Sequence, residues 1–202
     1  MTPMRRTVAE IEWASAAGAR SGGESDDEIA EAARSNPAAF EDLYRRHNLS
    51  VFRFLRARTK SDDDAAELTA VAFERALQAV GRYRPAGGGF LAWLFTIARN
   101  AALDMERARH RHGTKRLPEL DPTDIREPLQ TEDDLVRKEQ LAELRSRVSK
   151  LPDAQREAIV LRYAGGLTAR EIGATLGKSE AATQKLLSRA LEALRETFRE
   201  DA

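Results

Sequence analysis

Apolar residues recur at helical spacing along most of this 202-residue chain, in blocks separated by polar, glycine-bearing or proline-bearing breaks. From Ala38 to Arg58, residues Phe40, Leu43, Tyr44, His47, Val51, Phe52 and Leu55 fall on one 3.6-period stripe, which predicts a core-facing helix. A second helix is expected from Asp62 to Val80. Ser61 supplies its cap, Asp62, Asp63 and Asp64 place acid in its first turn, and Leu68, Val71, Ala72 and Leu77 form its buried side. A third runs from Phe90 to Arg111, with Phe90, Trp93, Leu94, Ile97, Ala101 and Met105 towards one side. Three such helices make a bundle.

The flanking segments obey the same logic. Residues 1–24 have weak periodicity and end in Gly22-Gly23-Glu24, so they are expected to be a tail feeding a helix start at Ser25 and Asp26. Residues 113–134 carry Pro118, Pro122 and Pro128 among many carboxylates, which predicts an extended acidic linker. Periodicity resumes near Leu135 and continues to about Phe198, broken at Pro152, Gly165-Gly166 and Gly177. The expected fold is therefore all-α: a helical bundle over 25–112 and a second small helical domain over 135–202, joined by that linker.

Composition sharpens this picture. Aromatics are only 6% of the chain, and Ala, Leu, Arg and Glu dominate, which favours helix over sheet. The chain has no cysteine, so disulfides, zinc-thiolate sites and thiol redox chemistry are excluded. No signal-peptide core and no membrane-spanning run is present, and a cytoplasmic protein is expected. Lys plus Arg equals Asp plus Glu, 33 each, so no global positive field draws the protein to nucleic acid. DNA binding by such a chain has to be local or assisted by a larger partner.

Candidate chemistry appears first near the C-terminus. Thr168 and Glu171 have capping-box spacing, Ile172 and Leu176 supply an inward face, Gly177 suits a tight interhelical turn, and Ser179 caps the next helix. That is a helix-turn-helix. In its second helix Thr183, Leu186, Leu187, Ala190, Leu191 and Leu194 form the buried stripe, leaving Glu180, Ala181, Gln184, Lys185 and Ser188 to project outward. Short residues with amide and cationic groups suit a major groove, which makes Gln184 and Lys185 candidate base readers; a solvated polar face is the plainer alternative for any one of them. Arg170, Ser179 and Arg189 complete the candidate DNA-contacting set.

The segment Gly81-Arg82-Tyr83-Arg84-Pro85-Ala86-Gly87-Gly88-Gly89 mixes cations, one ring and pliable backbone. Such a loop can hold an extruded base while cations hold phosphates, and Tyr83 is the candidate stacking ring because it lies in the loop. Phe90 and Trp93, at helical spacing, are expected to be core. Asn100, Asp104, Arg107 and Arg111 lie along one helix face. The cations at this helix end suit either a phosphate or the helix dipole.

Two blocks of sequence resemble one family. Asp64-Ala-Ala-Glu-Leu-Thr-Ala-Val-Ala-Phe-Glu-Arg-Ala-Leu77, then Phe90-Leu-Ala-Trp-Leu-Phe-Thr-Ile-Ala-Arg-Asn100, are similar to region 2 of extracytoplasmic-function (ECF) sigma factors. Leu151-Pro-Asp-Ala-Gln-Arg-Glu-Ala-Ile-Val-Leu-Arg-Tyr163 and the helix-turn-helix are similar to region 4. The resemblance implies a non-enzymatic subunit that binds bacterial core RNA polymerase and promoter DNA, as duplex and as melted strand, with an anti-sigma factor as a further expected partner. It implies a polymerase-gripping surface at Asp64, Glu67, Leu68, Phe73 and Arg75. It also implies reading and melting of the minus-ten element by Arg82, Tyr83, Arg84, Asn100, Asp104, Arg107 and Arg111. The minus-thirty-five element falls to Arg170, Ser179, Glu180, Gln184, Lys185, Ser188 and Arg189. Many members carry Thr-Val-Lys-Ser-Arg in the recognition helix where this chain has Ala182-Thr-Gln-Lys-Leu186, so base preference is not carried over.

The competing expectation is a stand-alone helix-turn-helix regulator, which normally adds a sensor or dimerisation domain. A helical metalloenzyme rests only on the Asp62–Asp64 run and three histidines. His110 and His112 diverge on a helix, and the acid run suits a cap better than a metal. No metal and no cofactor is expected.

Overall fold

The computed structural model describes residues 24–59, 61–111, 140 and 143–200. The expected tail and the expected acidic linker therefore lie outside the described residues, apart from Glu24. Among the described residues every regular element is helical.

Local chemistry sets the helix starts. Helix α1, Asp26–Ala33, begins at Ser25, whose hydroxyl accepts the Glu28 N–H while the Glu28 carboxylate accepts the Ser25 N–H at 2.7 Å. After a 3-10 turn at Pro37–Ala39 comes α2, Phe40–Arg56. Helix α3, Asp62–Ala79, starts at Ser61, whose hydroxyl accepts from Asp64 N–H. Arg56, buried at the end of α2, donates to Asp62 and to the Thr59 carbonyl, closing the α2–α3 turn. A 3-10 turn at Val80–Arg82 and a loop lead into α4, Gly89–Arg111.

Helix α3 packs between α2 and α4, and the core they enclose includes Leu43, Val51, Phe54, Leu55, Leu68, Ala72, Phe73, Phe90, Leu94 and Phe95. Phe54 and Phe95 meet edge to face at 5.3 Å. The expected stripes are rotated in three places. Tyr44 is 45% exposed and Leu77 42% exposed rather than core, while Phe54, not named in the expected stripe of α2 although it lies three residues after Val51 on the same face, is fully buried. Phe95, well round from the expected inner side of α4, and Ala98, at the edge of that side, are also fully buried. Their burial has a tertiary cause: α4 is covered on two sides.

The second cover is the C-terminal unit. It comprises a helix described over residues 143–149 (α5), then α6, Asp153–Tyr163, α7, Ala169–Leu176, and α8, Glu180–Glu200. Arg147 of α5 donates to the Thr197 carbonyl, and its guanidinium lies 4.1 Å from the Phe198 ring centre, fastening α5 to the end of α8. Leu151, Ile159, Ala190 and Leu194 make a small core of their own. Ala158, Val160, Leu161, Leu167 and Ile172 instead join the core of the N-terminal bundle, with α7 packed on α4.

Candidate nucleic-acid interface

The helix-turn-helix forms as its local sequence dictates. Thr168 and Glu171 make the reciprocal capping box, the Thr168 N–H reaching the Glu171 carboxylate at 2.7 Å. Gly177 ends α7 in the left-handed region at φ 66°, where an L side chain is strained, and Lys178 N–H then reaches the Gly173 carbonyl at 2.8 Å. Ser179 accepts the Ala182 N–H at 3.2 Å and so caps α8. Thr183, Ala190 and Leu194 are buried, and Leu186, Leu187 and Leu191 half-buried. Glu180, Ala181, Ala182, Gln184, Lys185, Ser188 and Arg189 are exposed. The polar residues selected from sequence thus share one open helix face, and Ala181 and Ala182 add two methyl groups of the kind that meets a thymine methyl.

Arg170, on α7, stands apart from that face. Its Nε donates to the Gly87 carbonyl at 2.6 Å, so it touches the loop of the other unit. The loop is covered closely there: a Cβ on Gly88 would lie 2.8 Å from the Ala174 Cβ. A cleft of about 670 Å³ beside this contact is lined by Asp26, Asp27, Pro85, Gly88, Arg170 and Glu171 among others.

Within the loop, Tyr83 is not the open stacking ring expected from its position. It is 2% exposed, with its ring 5.8 Å from Phe90 and 5.1 Å from Trp93, and its hydroxyl donates to Asp27 Oδ1 at 2.6 Å. Burial, and then the hydrogen bond to the Asp27 carboxylate, push its ionisation well above the ordinary tyrosine value. The loop is folded inward around its ring because that is where the apolar surface lies. Arg82, Arg84, Pro85 and Ala86 remain exposed, with Arg84 donating to the Tyr83 carbonyl at 2.7 Å.

Along α4, Asn100 and Arg107 are exposed. Asp104 accepts from Arg75 of α3 at 2.9 Å and lies 3.7 Å from Arg107. The Arg111 side chain lies outside the described residues. The structure therefore brings Asn100, Asp104 and Arg107 onto one accessible face, beside Arg75.

The expected polymerase-gripping residues divide in two. Leu68 and Phe73 are 6% and 4% exposed and belong to the core, Phe73 packing edge to face against Phe40 and Tyr44. They are buried because α3 is sandwiched, and they offer a partner nothing directly. Glu67 and Arg75 are exposed, and Asp64 pairs with Arg109 at 2.9 Å. The surface that sequence reasoning missed is apolar: Tyr44, Leu49 and Leu77 are 45%, 52% and 42% exposed, and a shallow groove of about 260 Å³ between α2 and α3 is lined by Tyr44, Asn48, Leu49, Phe52, Thr69 and Ala70. A signal was present, since Leu49 lies off the apolar stripe of its own helix.

Two links tie the units together electrostatically. Glu157 of α6 accepts from Arg58 Nη2 at 2.6 Å and from Arg99 Nε at 2.7 Å, bridging the C-terminal unit to the bundle. Burial pulls the Arg58 guanidinium below its ordinary value, and Glu157 opposes that. Among the described residues there is no cluster of three metal-ligating side chains and no helix long and apolar enough to cross a membrane.

Comparison with known proteins adds matching sequence to this geometry. The Sigma-70 region 2 family model matches residues 43–112, and the Sigma-70 region 4 model matches residues 141–194. The chain is 33% identical over 178 residues to the ECF RNA polymerase sigma factor BldN of Streptomyces coelicolor, covering 87% of this chain and 66% of that protein. It is 34% identical to the RNA polymerase sigma factor CarQ of Myxococcus xanthus, covering 80% of this chain and 90% of CarQ. Thus the chain spans about two thirds of BldN but most of CarQ. The solved structure of CnrH in complex with the cytosolic domain of CnrY aligns with a TM-score of 0.66 at 26% identity, covering 89% of this chain and all of that one.

Proposed function

This chain belongs to the ECF RNA polymerase sigma factors, and on that premise we propose that it binds bacterial core polymerase in the cytoplasm and directs promoter recognition, strand opening and initiation, without catalysing a reaction itself. The observation that carries the reading is the pairing, in one chain, of an open recognition-helix face with a separate cation-bearing loop and α4 face. One suits a closed major groove, the other an opened strand.

Residues 25–112 are the minus-ten unit and 135–202 the minus-thirty-five unit, joined by the segment 113–134. Gln184 and Lys185 read duplex base edges, with Ser188 and Arg189 on phosphates. Arg82, Arg84, Asn100 and Arg107 hold the opened strand. Polymerase docks on the exposed side of α2 and α3, where Tyr44 and Leu49 line an apolar groove, Leu77 is exposed further along α3 and Glu67 gives a charged edge, an arrangement suited to a helix of the partner. An anti-sigma factor is the further partner; the similar protein CnrH was itself solved with a protein partner, the cytosolic domain of CnrY.

Because its charges balance, the free protein gains little from counterion release and should bind duplex promoter weakly, whereas holoenzyme binds it well. Gel shift of both against promoter variants tests the reading. Gln184→Ala should relax preference at the minus-thirty-five element by about 1–3 kcal/mol. Tight sequence-specific binding by the free protein at physiological salt favours the stand-alone regulator instead.

A further inference from the structure

One carboxylate oxygen holds both ends of the loop that separates α3 from α4. Asp27 Oδ1, on α1, accepts the Tyr83 hydroxyl at 2.6 Å and the Phe90 N–H at 2.7 Å. Tyr83 opens the loop and Phe90 is the second residue of α4, just beyond it, so a single atom fixes the span between them. The fit is close. Gly89 sits at φ 68°, and a Cβ there would lie 3.2 Å from either Asp27 oxygen, so the carboxylate occupies the space that a side chain at 89 would take.

The same bond serves α4. Its first-turn N–H groups need acceptors, and here the acceptor comes from a different helix rather than from a residue beside it. The ring below is equally constrained, since Tyr83, Phe90 and Trp93 form one mutually packed set with all three centroid separations below 6 Å. What stays free is the outer stretch, where Arg82, Arg84, Pro85 and Ala86 are exposed.

We propose that Asp27 is a positioning residue for minus-ten recognition: by tying Tyr83 and Phe90 to one oxygen it presets the loop, so that Arg82 and Arg84 meet the opened strand on a backbone that is already ordered. The proposal rests on the sigma-factor reading above. Asp27 touches no DNA and acts through the loop. Preorganisation of this kind favours the step in which the bases are captured, because that is when a disordered loop has to be fixed.

The test compares full-length wild type, Asp27→Ala, Asp27→Asn and Tyr83→Phe in two assays. In the free protein, hydrogen exchange reports the Phe90 amide directly. Losing a hydrogen bond to a charged acceptor should speed its exchange about tenfold or more in Asp27→Ala, while Asn, which keeps an acceptor oxygen at that place, restores most of the protection. In holoenzyme, promoter affinity and the rate of strand opening are measured separately, with a panel of minus-ten base substitutions. Asp27→Ala should slow opening and flatten discrimination between minus-ten bases with core-polymerase affinity close to wild type, beyond what the modest fall in melting temperature from the unpaired Tyr83 hydroxyl accounts for, and Tyr83→Phe should do so in part.

Unchanged opening and base discrimination in a folded Asp27→Ala protein overturns the proposal. So does a loss of opening that merely parallels loss of core binding and of thermal stability, since that marks a general structural defect. If wild-type holoenzyme itself initiates nowhere, the sigma-factor reading fails and the proposal with it, a result distinct from either because the wild-type arm alone shows it.

Discussion

At Leu68 and Phe73 burial separates two roles that the sequence pattern merges. Both lie in the segment that matches region 2, yet they are core residues, whereas Glu67, between Ala66 and Leu68, is exposed. Leu68→Ala should therefore cost about 2–5 kcal/mol of stability, as truncating a buried leucine does, and weaken polymerase binding only as the fold fails. Glu67→Lys should leave stability within about 0.5 kcal/mol and weaken polymerase binding. Urea unfolding alongside a binding isotherm checks both. A folded Glu67→Lys protein with wild-type affinity removes Glu67 from the docking surface.

Residue by residue, what could be read from sequence was what is decided locally. Ser25, Ser61, Thr168 and Ser179 cap their helices as their spacing to Glu28, Asp64, Glu171 and Ala182 requires, and Gly177 takes the left-handed turn. Tyr83 could not be read in this way. Its position between Arg82 and Arg84 suggested an open ring, but its environment is set by Asp27, 56 residues away, and by Trp93 on the following helix. The exposed polar face of α8 was legible because amphipathic phasing alone decides it; the exposed apolar groove of α2 and α3 was not, because an off-stripe Leu49 looks alike in sequence whether or not another element covers it.

Among elements, α1 has no long apolar stripe, and charge helps to dock it. Asp26 Oδ2 lies 3.0 Å from His47 Nε2, and Asp26 Oδ1 3.2 Å from Arg46 Nη1, both on α2. Burial pushes the Asp26 carboxyl up, but the neighbouring His47 and Arg46 outweigh it and hold it below the ordinary carboxylate value. A carboxyl depressed in the folded state stabilises the fold above its unfolded pKa, and that contribution is lost as pH falls through the folded value. The stability difference between wild type and Asp26→Asn should then shrink as the solution is acidified below about pH 4, where the Asp26 carboxylate takes up its proton. Denaturant titrations across that range check it. A difference that does not change with pH would show that the ion pair contributes nothing.

The same scale accounts for α4. Its sequence announces one apolar side, yet Phe95, well round from that side, is fully buried between Phe54 of α2 and the Gly165 turn of the C-terminal unit. No periodicity in α4 alone could disclose that second partner.

For the whole molecule, the arrangement has a consequence on DNA. Minus-ten and minus-thirty-five elements lie roughly 25 base pairs apart, about 85 Å of duplex at ~3.4 Å per base pair. Here Arg170 of the helix-turn-helix touches the Gly87 carbonyl, and Glu157 binds Arg58 and Arg99 across the boundary. On the sigma-factor reading proposed above, a molecule closed in this way would not reach both elements, and promoter binding should require the two units to part. The chain has no cysteine, which makes the point testable with one introduced pair. A Cβ on Gly87 would lie 3.7 Å from the Ala174 Cβ, within disulfide range, and because φ 51° there strains an L side chain the reduced double variant is the reference for activity. The oxidised Gly87→Cys, Ala174→Cys protein should fail to support initiation and recover on reduction. Equal activity in both redox states would mean that the contact persists on the promoter.

That this chain confers promoter selection on polymerase is tested most directly by adding the purified protein to bacterial core enzyme on a library of genomic fragments and mapping the 5′ ends of the transcripts. Defined start sites that core alone does not use are predicted, each preceded by a shared pair of sequence elements about 25 base pairs apart, with the upstream preference relaxed by Gln184→Ala. Start sites identical to those of core alone, with a properly folded protein present, would contradict it.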